Sequence, residues 1–205
     1  MAGIDITDDL QALAARDTDV ARELLRIGTP EGRYRPPGFA TLLRIILGQQ
    51  VSVLAASAMW RKLEAALGNE IDARTLIGCD DDVLRACGVS RQKRVYARSL
   101  AEALLSGRVD LARVAGLDDA SAIAELLQVK GIGVWSAEIY LLFALQRPDA
   151  FPAGDLALRI GYQRLKRLGE PPTASALRAL SVPWRPYRGA AAHFLWHSYA
   201  NPPLG

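Results

Sequence analysis

The sequence predicts an all-α fold, and three observations predict it. Apolar residues recur with helical periodicity nearly throughout, and clusters of β-branched residues alternating with polar ones are absent. Ala, Leu and Arg, all good helix formers, dominate. Asp or Ser stands where helices should start and Gly where they should stop, at short intervals. Hydrophobic residues make up 50% of the 205, enough for the core of one large domain or two small ones.

The elements follow in order. Asp17 opens "DTDVARELLRIG", which closes on Gly28. "GFATLLRIILG" closes on Gly48, and Ser52 opens "SVLAASAMWRKLEAALG", which closes on Gly68. Asp72, Asp80 and Ser90 read as further N-caps, and Gly78, Gly88 and Gly107 as further stops. Asp118 begins a helix that runs into "LLQVKGIGVWSAEIYLLFAL" (126–145), where Gly131 and Gly133 separate two helical runs. After "QRPDAFPAGD" a helix spans roughly 156–168, and two more follow Pro172 and Pro186. About ten short helices result. Pro-rich breaks at "RYRPPG" and "QRPDAFPAG" bracket a central helical lobe, 38–146, and leave 1–37 plus 147–205 to form a second.

Charge and composition exclude several classes. The net charge is +3 and the isoelectric point about 9.0, which permits a polyanionic partner. The segment from Arg85 to Arg98 is basic and holds no acid; it reads either as a solvated helix face or as a polyanion contact. The acidic, polar start "MAGIDITDDL" is unlike a signal peptide, and the longest apolar run, "IYLLFAL", is too short to span a membrane. Cys79 and Cys87 form neither a C-x-x-C pair nor a disulfide framework. The expectation is a soluble intracellular chain.

Two segments carry chemistry. A G-h-G hairpin places main-chain amides at the start of its second helix, where they lack intrahelical partners and the helix dipole is positive. That is an anion site suited to a nucleic-acid phosphate, with Lys130 adding charge; an ordinary αα-turn with a glycine stop accounts for the same residues. Asp155 is either the N-cap of "LALRIGYQRLKRL" or a working carboxylate, and one side chain can be both. His193 and His197 stand i,i+4 and could in principle hold a metal, but "FLW" between them lacks the Glu of a metalloprotease motif.

"LLQVKGIGVWSAEIY" followed by "DAFPAGD" resembles the helix-hairpin-helix, Gly/Pro loop and aspartate of the HhH-GPD DNA glycosylases. "LLRIILGQQVSVLAASAMWRKL" (42–63), "GVSRQKRVYARSLAEAL" (88–104) and "VPWRPYRGAAAHFLW" (182–196) resemble segments of the AlkA-type 3-methyladenine DNA glycosylases II, in the family's order. The resemblance implies a two-lobed all-α fold with the active site in the cleft, lacking the N-terminal α/β domain of larger AlkA enzymes. It implies a monofunctional glycosylase that removes alkylated purines, 3-methyladenine and 7-methylguanine, from double-stranded DNA in base-excision repair. The implied protein is a monomer working on the nucleoid in a bacterial-type cytoplasm. A glycosylase for deaminated or oxidised bases and a non-catalytic DNA-binding module are the alternatives.

The resemblance also implies roles for residues. Asp155 is the catalytic carboxylate. Trp135 and Trp184 form the base pocket, with Tyr140 and Phe39 either in it or in the core. Gln50 is the wedge that fills the gap left by a flipped base, assisted by Gln49 and by Ser52, which reads equally well as a helix cap. Lys130, Gly131, Gly133 and Ser136 contact the DNA backbone. No cofactor is implied beyond a structural Na+ or K+ on the main-chain carbonyls of Leu127, Val129 and Ile132. Trp135 stands where strand-cutting relatives have a Schiff-base lysine, and two cysteines cannot supply the four ligands of an iron–sulfur cluster. Gly154 replaces the first acid of the family's paired acids, and Ile139 replaces a pocket aromatic.

Overall fold

The computed structural model describes residues 2–202; residue 1 and residues 203–205, the ends of the predicted second lobe, lie outside them. The order is β1 (Ala2–Ile4), α1 (Thr7–Ala14), α2 (Thr18–Ile27), β2 (Gly32–Tyr34), α3 (Phe39–Gly48), α4 (Val53–Leu67), α5 (Ala73–Gly78) and α6 (Asp81–Ala86). There follow α7 (Arg91–Leu105), α8 (Leu111–Gly116), α9 (Asp119–Leu126), α10 (Val134–Phe143), α11 (Leu156–Lys166), α12 (Ala174–Leu180), a 3₁₀ turn at Val182–Trp184 and α13 (Arg188–Ala200). Among the described residues no helix is long and apolar enough to cross a membrane.

The caps read from the sequence form as side-chain hydrogen bonds. Asp17, Ser52, Asp72, Ser90, Asp118 and Asp155 each accept a main-chain amide of the first turn they precede. Asp80 stands at the N-cap of α6 without such a bond. Helix α11 stops at Lys166, short of Leu168, because Arg167 takes a left-handed φ of 53°.

The chain divides into two compact units. One is Pro36–Tyr140; the other joins the residues up to Arg35 to those from Leu141 onward. In the first, α7 packs against α3 and α5, and α3 against α4, around Leu42, Leu43, Ile46, Leu63 and Leu100. In the second, α11 packs on α13, and α1 on α2 and α13, around Leu10, Leu13, Phe151, Leu158 and Phe194.

Two glycines of the second unit let its backbones approach closely. A Cβ on Gly161 of α11 would lie 2.7 Å from the carbonyl oxygen of Leu195 on α13, so only glycine permits this approach. At the start of α13, Gly189 donates its amide to the Pro148 carbonyl at 2.7 Å, and a Cβ there would meet the same oxygen at 2.7 Å.

The structure adds to the all-helical expectation. Strands β1 and β2 pair antiparallel, with Ala2 opposite Tyr34 and Ile4 opposite Gly32. Three-residue strands are too short for a period-two pattern to register. Helices α1 and α8 are additions as well. Asp110 does cap α8, but that helix is only 6 residues long. Ile6, at the N-cap of α1, makes no side-chain cap.

Gly161→Ala should cost about 1–3 kcal/mol of stability through overpacking. Gly169→Ala, with open space around its Cβ position, should be close to neutral. Denaturant unfolding of both variants beside the wild type checks the difference.

Candidate functional site

Asp155 closes the loop before α11. The loop is held by short main-chain bonds: the amide of Ala153 donates to the carbonyl of Phe151 at 2.8 Å, and that of Asp155 to Pro152 at 2.9 Å. Phe151 and Ala153 are buried, and Gly154 is exposed. Upstream, Arg188 grips Asp149 through both carboxylate oxygens, at 2.7 and 2.6 Å. This planar, two-point pairing fixes the loop to the start of α13.

The Asp155 side chain is half-buried, and its Oδ1 accepts the Leu158 amide at 3.1 Å. The indole N–H of Trp196 donates to the same oxygen, also at 3.1 Å. The Trp196 ring lies against Phe143, His193 and the Arg33 guanidinium, which is 5.3 Å from its centroid. Arg33 also interacts electrostatically with Asp155. Asp155 is therefore the N-cap of α11 and also accepts a donor from α13. Sequence reasoning misses Trp196: its partner lies 41 positions away, and "HFLW" carries no local signal for it.

The hairpin between α9 and α10 belongs to the other unit. Gly131 has φ +96°, and a Cβ there would collide with the ring of Tyr96, so both conformation and space require glycine. Gly133 has neither constraint; it is exposed, with open space where a Cβ would be. Its carbonyl accepts the amide of Ala137 at 3.0 Å and starts α10. Lys130 beside it is exposed. Gln49 donates to the Gly131 carbonyl at 2.8 Å and to the Ser136 hydroxyl at 3.0 Å, which ties the loop after α3 to the hairpin. Ser136 is 2% exposed, so it braces the hairpin rather than facing a phosphate.

Gln50, at the exposed tip of the loop after α3, has φ +55°, a left-handed conformation uncommon for a residue with a Cβ. Ser52 caps α4. The basic segment is largely spent within the fold. Lys93 donates to the Leu47 carbonyl at 2.6 Å, Arg94 to Val89 at 2.7 Å, and Arg98 to Cys79 at 2.8 Å. Cations are favourable at such helix C-terminal ends.

The four predicted pocket aromatics divide. Trp135, in the first turn of α10, is half-buried. Trp184, Tyr140 and Phe39 are 3%, 0% and 8% exposed and present no open ring face. Trp184 packs on Phe151 and Tyr162 and donates its indole N–H to Asp17 at 2.8 Å. The Tyr140 hydroxyl accepts the Gly38 amide at 3.0 Å. Their burial makes them packing residues. Ile139 is buried as well. Of the carbonyls expected to hold a cation, that of Val129 accepts the Ile132 amide at 3.0 Å and keeps a second lone pair. Neutral oxygen donors of this kind suit a hard cation rather than a thiophilic metal.

Residues 43–186 match the model of the HhH-GPD superfamily of base excision DNA repair proteins. The chain belongs to that superfamily. DNA-3-methyladenine glycosylase 1 of Schizosaccharomyces pombe is 35% identical over 175 residues, 80% of this chain and 77% of the relative. The solved 3-methyladenine DNA glycosylase of that yeast, in complex with abasic DNA, has a TM-score of 0.82 at 32% identity and covers 93% of this chain and 95% of its own. The DNA-3-methyladenine glycosidase of Bacillus halodurans has a TM-score of 0.81 at 30% identity, with 97% and 93% covered. The 8-oxoguanine glycosylase/lyase of Clostridium acetobutylicum, at 16% identity and a TM-score of 0.81 over 97% of this chain and 71% of its own, shares the fold alone.

Within this HhH-GPD chain the two histidines have separate settings. His197 Nε2 donates to the Ile27 carbonyl at 3.0 Å. His193 is 4% exposed, stacks on Phe143 with centroids 5.6 Å apart, and among the described residues has no hydrogen-bond partner on either ring nitrogen. Burial, and then the nearby Arg33 charge, push its pKa down from 6.5 to about 4. The unfolded chain therefore binds a proton that the folded chain refuses between these values. The stabilisation is fully present above pH 6.5 and is lost as pH falls toward 4, about 3 kcal/mol in all. Melting curves across that window should show this loss, and His193→Leu should flatten it.

Proposed function

We propose that this chain is a monofunctional DNA glycosylase that hydrolyses the N-glycosidic bond of alkylated purines, 3-methyladenine and 7-methylguanine, in double-stranded DNA. The product is an abasic site, and the setting is base-excision repair by a monomer on the nucleoid, in a bacterial-type cytoplasm. One observation carries the reading. A half-buried carboxylate, Asp155, stands at a helix start and accepts the Leu158 amide and the Trp196 indole N–H, in a chain 35% identical to a protein named DNA-3-methyladenine glycosylase 1.

Breaking the C1′–N bond builds positive charge on the sugar. A fixed carboxylate stabilises that charge and can orient the attacking water. Alkylation at N3 or N7 makes the purine cationic and a good leaving group, so no strong general acid is required. An aromatic face such as that of Trp135 attracts the cationic base, by roughly 0.5–2 kcal/mol. The lysine that a strand-cutting mechanism needs has no counterpart at Trp135, which supports hydrolysis without a lyase step.

The base must leave the stack before it can react. The strained Gln50 at a loop tip suits the wedge, since such outliers gather at working sites. The hairpin suits phosphate: α10 begins there, Gly133 leaves room for close approach, and Lys130 adds charge. A Na+ or K+ on the carbonyls of Leu127, Val129 and Ile132 would add positive potential at the same turn. The chain's two cysteines leave an iron–sulfur cluster without its four ligands.

Wild type should release methylpurines from methylated duplex DNA and leave alkali-labile sites without nicking. Asp155→Asn should bind the same DNA with a release rate lower by about 100-fold or more. Nicking without alkali would overturn the monofunctional assignment. If neither protein released a base while both bound DNA, the chain would be a binding module. DNA affinity should fall steeply with salt.

A further inference from the structure

We infer that Trp196 is a positioning residue for the proposed base excision: its indole N–H holds one oxygen of the Asp155 carboxylate and so fixes the plane of the other. The inference rests on the glycosylase reading and assigns a residue that the family resemblance did not bring forward.

The geometry is local to one unit. Oδ1 of Asp155 receives both the Leu158 amide and the Trp196 indole, each at 3.1 Å. An N-cap bond alone restrains a carboxylate at one point and leaves rotation about the Cβ–Cγ bond. A second donor on the same oxygen, from a different helix, removes much of that freedom. The indole is a suitable donor because it is itself immobile. Phe143 lies 5.6 Å away at 57°, His193 5.8 Å away at 66°, and the Arg33 guanidinium covers a face at 5.3 Å. A side chain packed on several sides has little rotamer entropy left to lose when it donates a hydrogen bond.

The cage is built for a neutral imidazole. His193 touches both Phe143 and Trp196 and offers no hydrogen bond to either. Arg33 is the cation that faces it, and a second positive charge would be repelled there. The same Arg33 acts on Asp155, so the cluster joins a carboxylate, a donor that orients it and a cation that balances it. Both helices are set by the Gly161 contact with Leu195, the residue next to Trp196.

The test is Trp196→Phe, which keeps an aromatic ring and removes the donor. Three quantities are measured beside wild type and Asp155→Asn: single-turnover release of 3-methyladenine, the Kd for abasic duplex DNA, and the melting temperature. A positioning role predicts that the single-turnover rate falls about 10- to 100-fold, the scale on which misplaced groups lose rate, while Kd stays within twofold and the protein remains folded. It also predicts that Trp196→Phe adds little to the loss in an Asp155→Asn background, because both changes act on one carboxylate. Release at the wild-type rate overturns the inference. So does a parallel loss of stability, DNA affinity and rate, which would mark a packing residue.

If the variant does not fold, the indole resonances of wild type and Asp155→Ala, which lacks the acceptor oxygen, decide. The Trp196 N–H should shift and exchange faster once the carboxylate is gone; an unchanged resonance overturns the inference. Absence of base release by the wild type would instead overturn the glycosylase reading, and the indole measurement would still report on the hydrogen bond.

Discussion

Helices α11 and α13 meet where Gly161 has no side chain and the Leu195 carbonyl takes the space that a Cβ would need. The contact sets the distance between the two helices that matter most for the proposed chemistry. Asp155 caps α11, and Trp196 stands one residue beyond Leu195 on α13. The indole can reach the carboxylate because the backbones come this close. Gly189 repeats the device at the other end of α13, where the helix start is drawn onto the Pro148 carbonyl. The loop carrying Asp155 is thus clamped at Pro148 and Asp149 on one side and at the α11 N-cap on the other.

Many polar groups of the molecule serve helix ends first. Lys93 and Arg98 satisfy carbonyls where α3 and α5 finish, and Ser52 caps α4. Gln49 braces the hairpin through Gly131 and Ser136. Side chains bonded to a helix terminus are already fixed in direction, which is what a binding surface needs. The charge exposed for a polyanion is correspondingly smaller than the run from Arg85 to Arg98 suggests, and Lys130 and the amides of the hairpin take a larger share of the proposed backbone contacts.

The helical framework is legible in the sequence because its punctuation is local. Asp17, Ser52, Asp72, Ser90 and Asp118 bond to amides two or three residues on, within the reach of sequence pattern. Asp155 is legible twice, as a cap and through the family resemblance. The aromatic residues are not. Spacing cannot tell Trp135, half-buried in a first turn, from Trp184, whose N–H is committed to Asp17 far upstream. Trp196 and His193 escape sequence reasoning for the same reason, since their surroundings come from Arg33, Phe143 and Asp155 and exist only after folding. Gly131 is expected from its turn, but the Tyr96 ring that also demands a glycine there lies on α7.

The measurement that most directly tests the dependence of the site on helix spacing is single-turnover base release by Gly161→Ala at a temperature where it is fully folded. The added Cβ should push α11 from α13, weaken the hold of Trp196 on Asp155 and slow release, while affinity for abasic DNA is retained. A folded Gly161→Ala protein that releases methylpurines at the wild-type rate would contradict that dependence.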